Sequence, residues 1–113
     1  MAMVYLIGIE NDDTVYKIGV TKSNNAEGRL KQLQTANSGQ LYIKETYTTE
    51  HPFKLEKMLH NHYNRNKTHG EWFNLNEEEV KGFKNVCELL QGRIDILSNN
   101  PFFNKRKEIK YQD

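Results

Sequence analysis

Apolar residues run almost without a break from Met3 to Ile9 (MVYLIGI), and the run is rich in β-branched and aromatic side chains, the pattern of a buried strand. Glu10-Asn11-Asp12-Asp13 is polar and turn-like, and Thr14 to Val20 (TVYKIGV) is a second β-rich run, so the pair predicts an antiparallel hairpin. From Asn25 to about Ala36 the spacing becomes helical: Asn24 or Asn25 caps, Ala26, Leu30 and Leu33 share one face, and Asn37-Ser38-Gly39 ends the segment. Leu41 to Thr48 alternates as a third strand. Pro52 suits the first turn of a second helix that reaches about Asn64, with Leu55, Met58, Leu59 and Tyr63 as its stripe. Trp72-Phe73 is a short aromatic segment. Asn76 followed by Glu77, Glu78 and Glu79 starts a last helix, which carries Val80, Phe83, Val86, Cys87, Leu90 and Ile94 inward until Ser98-Asn99-Asn100-Pro101 breaks it. The order is ββαβαα, an α/β (α+β) domain with a small antiparallel sheet.

Composition narrows the class. A chain of 113 residues supports one domain with one modest core. The expected organisation is a domain over 1–97, with its informative part at 3–75 and a C-terminal helix at 76–97, then a basic tail over 98–113 containing Lys105-Arg106-Lys107. At 27% charged residues the chain is neither a disordered tail nor a histone-like protein. One cysteine cannot build a disulfide framework or a Cys-rich zinc site, and Cys87 sits on the apolar face of the last helix. The chain shows no apolar run of membrane-spanning length and no signal-peptide layout. An intracellular protein (cytoplasmic or in a host cell), not secreted and with no membrane partner, is the expectation. With 16 Lys plus Arg against 15 Asp plus Glu, the net charge of +1 means that any nucleic-acid role rests on a local arrangement of cations.

Three sets of residues carry candidate chemistry. If Asn11, Asp12 and Asp13 form the hairpin loop, Tyr5 faces Gly19 and Ile7 faces Lys17, which puts Tyr5, Lys17 and Gly19 on one sheet face. Lys17 is then diagonal to Tyr5, about 7–8 Å away between α-carbons, and Gly19 leaves room beside the phenol. A nearby ammonium favours the phenolate of a tyrosine. The plainer alternative is a core aromatic beside an edge lysine that discourages aggregation. Glu56 and His60, four apart, are neighbours at the rim of the second helix's apolar stripe, where a carboxylate can hold a cation and still meet solvent; an ordinary surface pair has the same spacing. Arg29 flanks the Ala26-Leu30-Leu33 stripe, and its planar fork of donors suits a phosphate, although a single helix arginine is commonly just solvated. Other signals carry less: His60 and His62 point about 200° apart on a helix, Asp12 and Asp13 fit a turn, and the chain has no Gly-rich phosphate loop or serine elbow.

Taken together, Val4-Tyr5-Leu6, Tyr16-Lys17-Ile18-Gly19-Val20-Thr21, Arg29-Leu30-Lys31-Gln32-Leu33-Gln34-Thr35, Leu55-Glu56-Lys57-Met58-Leu59-His60 and Gly70-Glu71-Trp72-Phe73 resemble the GIY-YIG nuclease superfamily. The closest resemblance is to its short branch found in phages, large DNA viruses, bacteria and fungi. The resemblance spans about residues 3 to 75 and rests on five pieces in order. It implies a three-stranded antiparallel sheet flanked by helices, one divalent metal (Mg2+ or Mn2+), and hydrolysis of a DNA phosphodiester. It implies Tyr5 as the general base or positioner of the attacking water, Lys17 in the place of the second-motif tyrosine and able to lower the Tyr5 pKa, and Gly19 as the second-motif glycine. Arg29 corresponds to the phosphate-contacting arginine, Glu56 to the metal-binding glutamate, and His60 to this branch's histidine. Gly19, Lys22 and Lys31 are candidates for substrate binding. Val4 and Leu6 depart from the residues that name the superfamily, and residues 76–113 carry no motif of it.

Two nucleic-acid functions compete at this point, with a protein-interaction domain as a third reading. One is a metal-dependent DNA endonuclease, monomeric or weakly dimeric. The other is a catalytically inactive nucleic-acid-binding module of the same fold, with Lys22, Lys31, Arg65, Lys67 and the basic tail contacting phosphates.

Overall fold

The structure is a computed structural model and describes residues 2–22, 26–35 and 39–98. The expected cap at Asn24 or Asn25, the helix stop at Asn37-Ser38 and the tail beyond Ser98 lie outside the described residues. The strands are β1 (Met3–Ile9), β2 (Asp12–Thr21), β3 (Leu41–Thr48), β4 (Lys67–His69) and β5 (Trp72–Asn74). The helices are α1 (Ala26–Gln34), α2 (Pro52–His62), α3 (Glu77–Lys81) and α4 (Phe83–Ser98).

β1 lies between β3 and β2 in an antiparallel sheet ordered β3-β1-β2-β5-β4. Its alternate residues serve two cores, which is why the whole run is apolar. Val4 and Leu6 join Tyr16, Ile18, Leu55, Leu59, Tyr63, Phe73 and Phe83 on the face covered by α2, α3 and α4. Tyr5 and Ile7 join Leu41 on the other face, with Leu30 and Leu33 of α1 and Trp72 packed against them. α1 is fastened to β3 by Gln34, whose amide accepts from Leu41 N–H (2.7 Å) and donates to Gly39 C=O (2.8 Å).

Five strands replace the three expected. β4 and β5 have three residues each, too few for alternation to be read, and are joined by a two-residue turn, Gly70-Glu71, in which Gly70 takes φ +55°. This hairpin extends the sheet because β5 pairs with β2 at Val15, Tyr16 and Lys17. Asn66 Nδ2 anchors it, donating to Asn74 C=O (2.8 Å) and to the Glu79 carboxylate (3.1 Å).

Two smaller expectations are also revised. The first hairpin has the expected register from Met3↔Thr21 to Gly8↔Tyr16, but a bulge after Gly8 pairs Ile9 with Asp12, so the turn is Glu10-Asn11 and both aspartates belong to β2. Asn11 at φ +67° makes that tighter turn possible. The last helix is two helices. The helix start expected at Asn76 is present and is closed by a reciprocal box: Asn76 accepts from Glu79 N–H (2.8 Å) while Glu79 Oε1 accepts from Asn76 N–H (3.0 Å). The chain then turns at Gly82 before α4 resumes.

α2 is held to the sheet by Leu55 and Leu59, both fully buried. Leu59→Ala is expected to cost about 2–5 kcal/mol in chemical denaturation. Leu89→Ala, at a position 55% exposed on α4, should stay within about 0.5 kcal/mol.

Candidate functional site

β5 ends its pairing with β2 at Lys17, so the next residue, Ile18, presents a backbone donor and acceptor at an open sheet edge. Both are satisfied by the site. Ile18 N–H donates to Glu71 C=O at 3.1 Å, and Ile18 C=O accepts from His60 Nε2 at 2.9 Å. A carbonyl can only accept, so Nε2 is the donor. The ring is further set by Phe73, edge-on at 5.0 Å between centroids. A requirement of the sheet thereby fixes the orientation of a helix side chain.

Glu56 lies one turn before His60 on α2, and Glu71 occupies the second position of the β4–β5 turn. One ligand atom from each of Glu56, His60 and Glu71 lies within 4.8 Å of the other two. Lys17, almost buried between its neighbours, donates to Glu71 Oε2 at 2.6 Å, and its ammonium stands 5.8 Å from the Trp72 ring centroid. Burial, then the Glu71 charge and a hydrogen bond between the two carboxyls, push Glu56 from its ordinary 4.5 up to about 7, with Lys17 partly opposing. Burial raises Glu71 too, but the Lys17 hydrogen bond and charge outweigh it, so Glu71 sits below the usual range. Below about pH 7 the pair therefore shares one proton, which sits on the Glu56 side.

Tyr5 and Arg29 complete the group from the α1 face. Tyr5 is 1% exposed, and its Oη, like Arg29 Nε, is buried without a hydrogen-bond partner of ordinary geometry. The phenol nevertheless feels Arg29, Glu71 and Glu56, which brings all four segments to one rim. Arg29 Nη1 donates to Gln32 Oε1 at 3.2 Å. Two expectations change here. Burial raises the Tyr5 pKa above 10, and the cation opposing that rise is Arg29, whereas Lys17 is engaged by Glu71. The space expected beside Gly19 is taken by the Tyr5 ring itself, since a Cβ on Gly19 would stand 2.5 Å from Tyr5 Cζ. Gly19 is thus required for Tyr5 to lie where it does.

The structure brings together Tyr5, Lys17, Gly19, Arg29, Glu56 and His60. It does not add Lys31, which is exposed on α1 and about 200° around the helix from Arg29. Lys22 is exposed at the end of β2, with its ammonium 5.9 Å from the Phe53 ring centroid. Asp12 accepts from Thr14 N–H at the start of β2, and Cys87 is a buried thiol pushed up to about 12 by burial. Glu71 is the residue that sequence reasoning missed. It stood inside the Gly70-Glu71-Trp72-Phe73 segment, and the turn glycine beside it was the available sign that this carboxylate is held at a bend.

A family model of the T5orf172 domain matches residues 2–88. The chain belongs to the T5orf172 domain family. This is a nuclease-like domain, with a DNA-related function and DNA as the implied partner. No curated protein and no solved structure matches the chain. Among the described residues no helix is long and apolar enough to cross a membrane.

The Glu56 shift has a consequence for stability. Between the ordinary 4.5 and about 7, the folded chain keeps a proton that the unfolded chain has released. More protons bound to the folded state means that stability falls as pH rises through this window and levels off above it. In chelator, Glu56→Gln should flatten that fall and gain about 1–2 kcal/mol at pH 8, the shift being discounted for partial solvation. A denaturation series from pH 4.5 to 8.5 checks both.

Proposed function

We propose that this T5orf172 domain is a metal-dependent DNA endonuclease of the GIY-YIG type, hydrolysing a phosphodiester at the rim where β5 leaves β2. The observation that carries the reading is the convergence of Tyr5, Arg29, Glu56 and His60, from β1, α1 and α2, around Glu71 and Lys17. A buried phenol and ammonium and a half-buried guanidinium beside two carboxylates form an arrangement that a fold has no need of for stability, because each group is costly to desolvate.

The residues fit a divalent cation. Carboxylate oxygens suit Mg2+ or Mn2+, and a divalent ion can displace the proton that Glu56 keeps. Glu56 would hold it, with His60 fixed alongside by its bond to Ile18. Such an ion supplies compact positive charge to the phosphoryl oxygens. Arg29 supports the same charge: its buried Nε lacks a partner among the described residues, and a phosphate oxygen provides an acceptor for it. Tyr5 orients the attacking water and takes its proton. Because burial keeps the phenol protonated in the resting molecule, the phenolate fraction is small at neutral pH and sets the rate there. One such rim nicks one strand, so cutting both strands takes two copies or two events.

Supercoiled plasmid incubated with the protein and Mg2+, with and without chelator, tests this reading. Chelator-sensitive nicking is expected, reduced about 10²–10⁴-fold in Tyr5→Phe and about 10²–10³-fold in Arg29→Ala, and abolished in Glu56→Ala. The single-turnover rate should climb with pH from 7 to 9, and the climb should vanish in Tyr5→Phe. Undiminished cutting by the Glu56→Ala protein would contradict the assignment. Salt-sensitive DNA binding with no cutting in Mg2+ or Mn2+ would instead establish the inactive binding module.

A further inference from the structure

Glu71 has no part in the residue roles set out above, yet it lies at the centre of the rim. Its carboxylate is shared by three neighbours: Lys17 by an ion pair at 2.6 Å, Glu56 through the shared proton, and His60 within the same cluster of ligand atoms. We infer that Glu71 is the second protein ligand of the divalent cation, and that Lys17 is an exchangeable counter-ion which gives up Glu71 when the cation enters. The inference rests on the reading that Glu56 holds such an ion.

Geometry comes first. Opposed ligands of an octahedral magnesium at about 2.1 Å stand about 4.2 Å apart, and the atoms offered by Glu56, His60 and Glu71 already lie within 4.8 Å of one another. Adjacent ligands of the same ion stand about 3.0 Å apart, so the three groups are near enough for side-chain rotation, without backbone movement, to draw them onto one ion. Tyr5 Oη gives an independent sign that something besides protein belongs here. It is a polar atom in a residue 1% exposed, without a partner, and within electrostatic reach of both carboxylates.

Charge then assigns Lys17. An ammonium bonded to one oxygen of Glu71 and a divalent cation on the other would stand a few ångströms apart in a half-buried setting, where like charges repel by several kcal/mol. The two cations compete for one carboxylate. Lys17 is suited to yield, because an ammonium on a flexible four-carbon stem can swing while a backbone-held group cannot, and the Trp72 face at 5.8 Å already lies beside it. In the metal-free molecule the lysine keeps Glu71 ionised and in place; on cation entry it is released toward the substrate side of the rim. Lys17 is therefore a positioning residue for the cation site.

Titration calorimetry with Mn2+ on the whole chain, at one pH and with no DNA, separates the outcomes. Glu71→Gln should weaken Mn2+ binding about tenfold or more, Lys17→Met should tighten it about tenfold, and the double variant should bind like Glu71→Gln alone. In the wild-type chain, which needs no substitution to fold, a Mg2+ titration followed by NMR should move the Lys17 Nζ and Glu71 Cδ signals with the same midpoint as Glu56 Cδ. If Glu56→Gln abolishes Mn2+ binding while Glu71→Gln and Lys17→Met leave it unchanged, this inference fails and the cation on Glu56 stands. If Glu56 Cδ moves in Mg2+ while the Lys17 and Glu71 signals stay still, the inference fails in the same way. Absence of any saturable Mn2+ binding to the wild-type chain would overturn both.

Discussion

Two carboxylates, Glu56 and Glu71, are held against each other at a half-buried sheet edge, and the surrounding structure is arranged around the charge that this creates. Like charges at such range cannot both stay ionised without a cation. The molecule answers in two ways: Lys17 bonds Glu71 at 2.6 Å, and Glu56 keeps its proton to about pH 7. Both compensating charges, the proton on Glu56 and the Lys17 ammonium, are ones that a divalent cation can displace, and that exchange would link the fold to a hydrolytic chemistry that needs positive charge next to a phosphate.

The architecture produces that juxtaposition through one local decision. β5 pairs with β2 for three residues and stops at Lys17. A longer β5 would have covered Ile18 and left no opening for α2 to reach the sheet edge. Because it stops, Ile18 turns its N–H to the Glu71 backbone and its carbonyl to His60, so the hairpin turn and the helix are fastened to the same residue. The distance between Glu56 and Glu71 is thus fixed by backbone hydrogen bonding on one side and by the buried Leu55 and Leu59 on the other. Arg29 and Tyr5 approach from the opposite layer, where α1 rests on β1 and β3.

Much of this was legible in the chain. The register of the first hairpin followed from placing its loop at Asn11 to Asp13, and the bulge after Gly8 keeps Tyr5 opposite Gly19 although the turn itself lies one residue earlier; Asn76 with the three glutamates after it marked a helix start. The four-residue spacing of Glu56 and His60 on an amphipathic helix placed both at the core's rim. Two things were not legible. Strands of three residues carry no periodicity, so β4 and β5 were invisible as strands and Glu71 had no assigned position relative to Glu56. The pairing of charges was also beyond reach: residue types locate Lys17 near Tyr5, but only the hairpin that delivers Glu71 shows that the ammonium is engaged there and that the phenol answers to Arg29. The space beside Gly19 failed as an expectation for a related reason, since an aromatic ring folds over whatever glycine it faces.

The most direct measurement is anomalous diffraction from crystals of the protein grown or soaked with Mn2+. One strong anomalous peak about 2.2 Å from a Glu56 carboxylate oxygen, within the cluster that includes His60 and Glu71, is the expected result. Saturating Mn2+ with no peak at Glu56, or a peak confined to surface carboxylates such as Asp12 and Asp13, would contradict the cation site on which the nuclease reading depends.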